Sequence, residues 1–207
     1  KNCCIVITGR KHPERYSKEK ILEYDFYDIK GLLESWFAMR KINNYSVKKT
    51  KNPVFKPGFG ADFIVNDESV ISFGEIAGNF TKGIRLKYPV YIALVELDKI
   101  LDIRISAVSY QPVPQFPAIT RDVAVVVDES IENCLIVDCI KRAKCKLLEN
   151  IEMLDIYRDE SIGKNKKSIA YTLTFRNPAT TLTDKEVNKA HGMIRDKLLK
   201  ELPLTLR

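Results

Sequence analysis

Long apolar runs are missing from this chain. Nothing approaches the ~18 to 20 consecutive apolar residues of a membrane-crossing helix, and the stretch from Ile119 to Val127 is interrupted by Arg121 and Asp122. A membrane-spanning protein is excluded on that reading, and no secretory signal peptide is visible. Histidine is scarce: only His12 and His191 occur. Serine or cysteine hydrolysis needs a histidine beside its nucleophile. His12 sits in a charged Lys-His-Pro-Glu loop, His191 lies beside an apolar helical stripe, and no G-x-S-x-G is present. Both read as structural or surface residues.

Cysteines number five, an odd count, with Cys3 and Cys4 adjacent and the others at 134, 139 and 145. They form no disulfide framework and lack the C-x-x-C and H-x3-H spacings of a tetrahedral zinc site, so they read as small buried thiols of a reducing cytosol. Nucleotide-cradling loops are missing too. Gly58-Phe59-Gly60 is followed by Phe63 where a dinucleotide fingerprint needs its third glycine, and Gly163 to Lys167 lacks the spacing and Ser/Thr of a phosphate loop. Gly58 and Gly60 read as turn glycines. Asp159-Glu160 is an adjacent, solvated pair. No catalytic residues and no metal ligands are assigned.

What is there is an ordinary globular composition: 207 residues, 45% hydrophobic and 29% charged, enough for one large domain or two modest ones without a metal or disulfide staple. The 34 basic against 27 acidic residues give +7, which favours a polyanionic partner without demanding one. Lys1 opens directly into an apolar strand, which predicts a piece of a longer chain. Prolines 112, 114 and 117 remove backbone donors and force extended geometry before them. They predict a semi-rigid linker at 111–117 between domains at 1–110 and 118–207. Of the charge, 18 basic and 13 acidic residues precede position 113, and 16 and 14 follow.

The second domain is the more regular. Arg121 to Asp128 is a β-branched strand, and Ser130 opens a helix to about Ala143 carrying Ile136, Cys139 and Ile140 at helical spacing. Leu147 to Tyr157 reads as a strand, Gly163 to Lys167 as a turn, and Ser168 to Phe175 alternates apolar and small residues. Thr183-Asp-Lys-Glu186 is a capping box before a stripe of Val187, Ala190, Ile194, Leu198 and Leu202, and Leu204 to Arg207 ends the chain as a short strand. The order β-α-β-β-α-β predicts a ferredoxin-like α+β domain. In the first domain, Cys3 to Thr8, a helix over about Asp28 to Ile42, a hairpin of Ala61–Val65 and Val70–Glu75, and a strand over Val90–Leu97 predict a mixed α+β domain with an antiparallel sheet.

The open face of the ferredoxin-like sheet carries the candidate site. Asp155 and Tyr157, two apart on one strand, share a face while Leu154 and Ile156 turn to the helices, and Ser168, Ala170 and Thr172 lie opposite the apolar set on the next strand. One ring for stacking, one carboxylate and a small-residue floor suit single-stranded RNA. A carboxylate accepts from N1-H and N2-H2 of guanine, an adjacent donor pair the other bases lack. A solvated strand with an exposed Asp and Tyr is the plainer alternative.

The phrases FPAITRDVAVVVDE, LDIYRDE, KKSIAYTLTFRNPATTLTDKEV and the terminal LTLR resemble the ferredoxin-fold anticodon-binding domain of the β subunit of bacterial phenylalanyl-tRNA synthetase. YDFYDIKGLLE, KPGFGADFIVNDESVISFGEI and YPVYIALVEL are similar to the later part of that subunit's catalytic-like domain. The resemblance implies the C-terminal portion of a longer subunit in a cytoplasmic (αβ)2 enzyme. There the α subunit holds ATP, Mg2+ and phenylalanine, and the present residues hold no cofactor. It also implies that tRNA-Phe and the α subunit are partners and that Asp155, Tyr157, Ser168 and Arg207 contact the anticodon, with Ala170 as a small neighbour. Remaining alternatives are a stand-alone ferredoxin-like RNA-binding or ligand-sensing module, and an acylphosphatase-like hydrolase. The latter needs an Arg-bearing anion loop where this chain has Val127-Asp-Glu-Ser130.

Overall fold

The structure, a computed structural model, describes residues 1–11, 22–104, 110 and 112–207; His12 and the linker residue Gln111 lie outside them. The chain forms two compact units, Lys1–Ser109 and Tyr110–Arg207.

The first unit is built from β1 (Asn2–Thr8), α1 (Phe26–Met39), β2 (Ser46–Lys49), β3 (Phe55–Val65), β4 (Glu68–Ile76), β5 (Val90–Glu96) and α2 (Leu97–Asp102). Its sheet runs β1-β5-β4-β3-β2, every pair antiparallel. Helix α1 begins earlier than its apolar stripe suggests. Asp25 accepts from the Tyr27 and Asp28 amides while Asp28 accepts from Asp25 N, a reciprocal cap that fixes the entry. Ile29, Leu33 and Phe37 then lock against Phe63, Phe73, Ala93 and Val95. Phe37, Phe63 and Phe73 form an aromatic chain with centroids 5.1 and 4.9 Å apart.

Two expectations are corrected in this unit, and a third concerns both units. The β3–β4 hairpin turns on two residues, Asn66 and Asp67, both with positive φ, because that geometry matches the twist of the strands. Gly58 and Gly60 lie inside β3 rather than in a turn between elements. There the register slips between Phe55 and Gly60, and a Cβ on Gly60 would stand 2.6 Å from Thr50 Cγ2. Third, cysteine is not uniformly buried. Cys3 and Cys4 are exposed on the edge strand and Cys134 on the first turn of a helix, leaving Cys139 as the buried thiol.

The second unit comprises β6 (Ile119–Asp128), α3 (Asn133–Arg142), β7 (Leu148–Tyr157), a 3₁₀ turn at Glu160–Ile162, β8 (Lys166–Phe175), α4 (Asp184–Glu201) and β9 (Thr205–Leu206). Strand order is β7-β8-β6-β9. Each helix carries the chain across to a strand two places away, and an antiparallel strand fills the gap, the ferredoxin-like arrangement. Val123, Val125, Val127, Ile169, Tyr171, Leu173 and Phe175 bury one face of the sheet against Ile136, Cys139, Ile140, Val187, Ala190, Ile194 and Leu198. At roughly 1.5 to 3 kcal/mol for each fully buried large side chain, this layer sets the register of all four strands. Thr183 and Glu186 cap α4 as a box. Ser130 does not cap α3: Asp128 Oδ1 takes its amide and hydroxyl, and the helix starts after Glu132 without a side-chain cap. Leu154 does not turn to the helices either. It is 56% exposed, for a reason that shapes the site.

Candidate nucleic-acid interface

Strand β7 pairs with β8 through Ile151↔Leu173, Glu152↔Thr172 and Met153↔Tyr171, then slips so that Asp155 faces Ala170, Ile156 faces Ile169 and Tyr157 faces Ser168. Leu154 is the extra residue of a β-bulge, which bends a strand and re-aims the side chains beyond it. Simple alternation from Ile151 and Met153 would send Asp155 into the core. The bulge sends Asp155 and Tyr157 to the open face and Ile156 to the core.

The remaining strands complete that face. Ala170 pairs with Ala124 and Ser168 with Val126. Thr205 pairs with Val126, and Arg207 N donates to Ala124 O at 3.0 Å. Two rows therefore cross all four strands: Asp155–Ala170–Ala124–Arg207, and beside it Tyr157–Ser168–Val126–Thr205. With strands about 4.8 Å apart, a carboxylate and a guanidinium stand at either end of a floor about 14 Å wide whose middle is methyl groups. The five sequence-derived residues are thus on one face, in two adjacent rows. Ala124 completes the floor and was missed by sequence reasoning, which read its strand as one apolar run; the small residue among valines was the available signal.

Local bonding prepares these groups. Asp155 Oδ1 accepts from Ile156 N at 2.8 Å, which orients the carboxylate, and its second oxygen has no protein partner among the described residues. Tyr157 is 45% exposed, whereas Ser168 is only 7% exposed and set into the floor. The Asp159 carboxyl is held below its ordinary range chiefly by the Ser161 amide, which donates to its Oδ1 at 2.8 Å. Further along the face, Thr172 Oγ1 donates to Asp122 Oδ1 at 2.6 Å.

His191 lies on the helix side. Burial chiefly, then Arg195 and Arg121, pull its pKa down, so it is a neutral packing group at pH 7. Among the described residues no group of three or more His, Cys, Asp or Glu side chains is placed to hold a metal, and no helix is long and apolar enough to cross a membrane.

This sheet with its two helices defines a class, and the class has a match: residues 114–207 fit the ferredoxin-fold anticodon binding domain family. Residues 1–98 fit the phenylalanyl tRNA synthetase beta chain CLM domain. The chain belongs to the phenylalanyl-tRNA synthetase beta chain family, with the CLM domain preceding the anticodon binding domain. Among curated relatives, the phenylalanine–tRNA ligase beta subunit of Clostridium tetani is 34% identical over 186 residues, 89% of this chain and 24% of that protein. That of Clostridium acetobutylicum is 32% identical over 179 residues, 86% and 22% respectively. That of Listeria monocytogenes serotype 4b is 32% identical over 203 residues, 98% and 25%. The chain spans about a quarter of the length of these relatives.

Proposed function

We propose that the open face of β6–β9 reads the anticodon of tRNA-Phe, with Asp155 accepting from the guanine at its first position, Tyr157 stacking on a base, Ala170 and Ala124 admitting the flat ring, and Ser168 and Arg207 closing the contact. The observation that carries this reading is the Asp155–Ala170–Ala124–Arg207 row with Tyr157 beside it. A carboxylate pairs with adjacent N–H donors, and aromatic stacking retains the base. The first unit serves the same enzyme by docking with a catalytic α subunit in an (αβ)2 assembly of the cytoplasm, which joins phenylalanine to tRNA at the expense of ATP. ATP and Mg2+ belong to that α subunit: a class II nucleotide site needs an arginine after its glycine-rich strand, and Gly58-Phe-Gly-Ala-Asp-Phe63 offers none. No step of the chemistry is assigned to these residues.

The test is binding of a tRNA-Phe anticodon stem-loop. Asp155→Ala and Tyr157→Ala should each weaken it by ~1 to 3 kcal/mol, the range for a bidentate base contact or a stacked base. Asp155→Ala should also erase the preference for guanine over adenine at the first anticodon position. A folded double variant that binds as tightly as the parent would refute the assignment of this face.

A further inference from the structure

The open face is poor in positive charge for a surface that meets a polyanion. By register it carries four carboxylates, Asp122, Asp128, Glu152 and Asp155, and two cations, Arg207 and Lys166. All six are exposed. A base can approach Asp155 through its N–H edge, but the phosphates on either side of that base are repelled by the floor. They need a cation at the rim.

Lys166 stands there. It is two residues before Ser168 on β8 and so shares the open face, about 7 Å along the strand from the Tyr157–Ser168 row. Gly163, with φ +103°, takes the chain through the turn just before it, a backbone conformation that favours glycine. The opposing Asp128 is engaged elsewhere, its Oδ1 taking the Ser130 amide and hydroxyl at 3.0 and 2.7 Å. Of the other cations at this end, Arg158 is spent on the Glu129 carboxylate at 2.8 Å. Lys167 is buried on the helix side, with its Nζ donating to Glu129 O at 2.9 Å. Lys164, on the tip of the β7–β8 turn, is exposed. Neither Lys164 nor Lys166 has an ion-pair partner among the described residues. The local network thus fixes two cations as structure and leaves two facing solvent at the end of the floor nearest the stacking tyrosine.

Resting on the anticodon reading above, we infer that Lys166, with Lys164 beside it, seats the RNA backbone phosphate next to the base stacked on Tyr157. The two lysines are positioning residues for RNA, indifferent to base identity, while Asp155 supplies the selectivity. Phosphate contacts of this kind release counterions, so each steepens the dependence of affinity on salt by about 0.7 in the logarithmic slope for single strands.

The experiment measures binding of the anticodon stem-loop by the 207-residue chain across a range of monovalent salt, for the parent, Lys164→Ala, Lys166→Ala, Lys166→Arg, Tyr157→Ala and Asp155→Ala. Each alanine variant at a lysine should flatten the slope by about 0.7 and weaken guanine- and adenine-bearing loops by the same factor. Lys166→Arg should restore the parental slope, and Tyr157→Ala should lower affinity with the slope unchanged. Parental slopes in both lysine variants, with Tyr157→Ala still weakened, would overturn the phosphate seat and leave the reading face standing. If Tyr157→Ala and Asp155→Ala bind like the parent, the reading face falls and the phosphate seat falls with it.

Discussion

At the scale of single residues, the second unit depends on a few polar side chains. Glu201, near the end of α4, accepts from Arg142 of α3 at 3.0 Å, pairs with Lys197 and meets the Cys139 thiol at 3.5 Å. Lys197 chiefly, then Arg142, pull its carboxyl down to about 2. A carboxyl whose folded pKa is depressed contributes stability that is complete above its unfolded pKa and is lost as pH falls through the folded one. The window here runs from the ordinary glutamate range, about 4.3, down to about 2. Urea unfolding across that window should show stability dropping in the parent and a shallower drop in Glu201→Gln, with no change in its pH dependence above 6. An equal drop in both proteins would refute the role of this carboxylate.

At the scale of elements, the bulge at Leu154 decides what the sheet presents. Deleting Leu154 would remove the bulge and set Asp155 directly after the core-side Met153, so that regular alternation still keeps Asp155 and Tyr157 on the open face and Ile156 in the core. Stem-loop binding by the deletion variant should therefore stay closer to that of the parent than to that of the Asp155→Ala, Tyr157→Ala double variant. Binding as weak as that double variant's would show that the bend at Leu154, and not the alternation of side chains alone, aims the site. This element also marks the limit of what sequence can reveal. Period-2 alternation of Ile169, Tyr171, Leu173 and Phe175, the 3.6-residue stripe behind the Thr183 capping box, and the prolines after Tyr110 were legible because local sterics and burial enforce them. Asp155 and Tyr157 could be grouped on one face from their spacing alone. Their partners Ala124 and Arg207 could not, because they are brought in by cross-strand register, which is set by the whole core. Strand β2, with four exposed residues, and the short helix α2 carried no periodic signal to find. The extended start of β3, with Gly58 and Gly60, looked like a turn because the register slip that uses those glycines involves a second strand.

At the scale of the whole molecule, the two units divide the charge unequally, with most of the excess positive charge before position 113. For the proposed function, that places the more basic unit with the protein partner and leaves RNA recognition to a sheet of nearly balanced charge. A stand-alone RNA-binding or ligand-sensing module would have no reason to retain a catalytic subunit. The proposed docking therefore predicts that immobilised chain captures purified phenylalanyl-tRNA synthetase α subunit, measured by co-elution, and that a variant carrying Asp155→Ala and Tyr157→Ala captures it equally well. Failure of the parent to capture it would favour the stand-alone module.

The four carboxylates of the open face have a kinetic consequence for the proposed reader. An RNA that cannot place a guanine edge against Asp155 gains little from the rest of the floor and is repelled by it, so mismatched tRNAs should leave quickly. Discrimination would then lie in residence time more than in the rate of encounter. The same repulsion would keep the matched complex from becoming too tight, so that a charged product can depart and the face can meet its next tRNA.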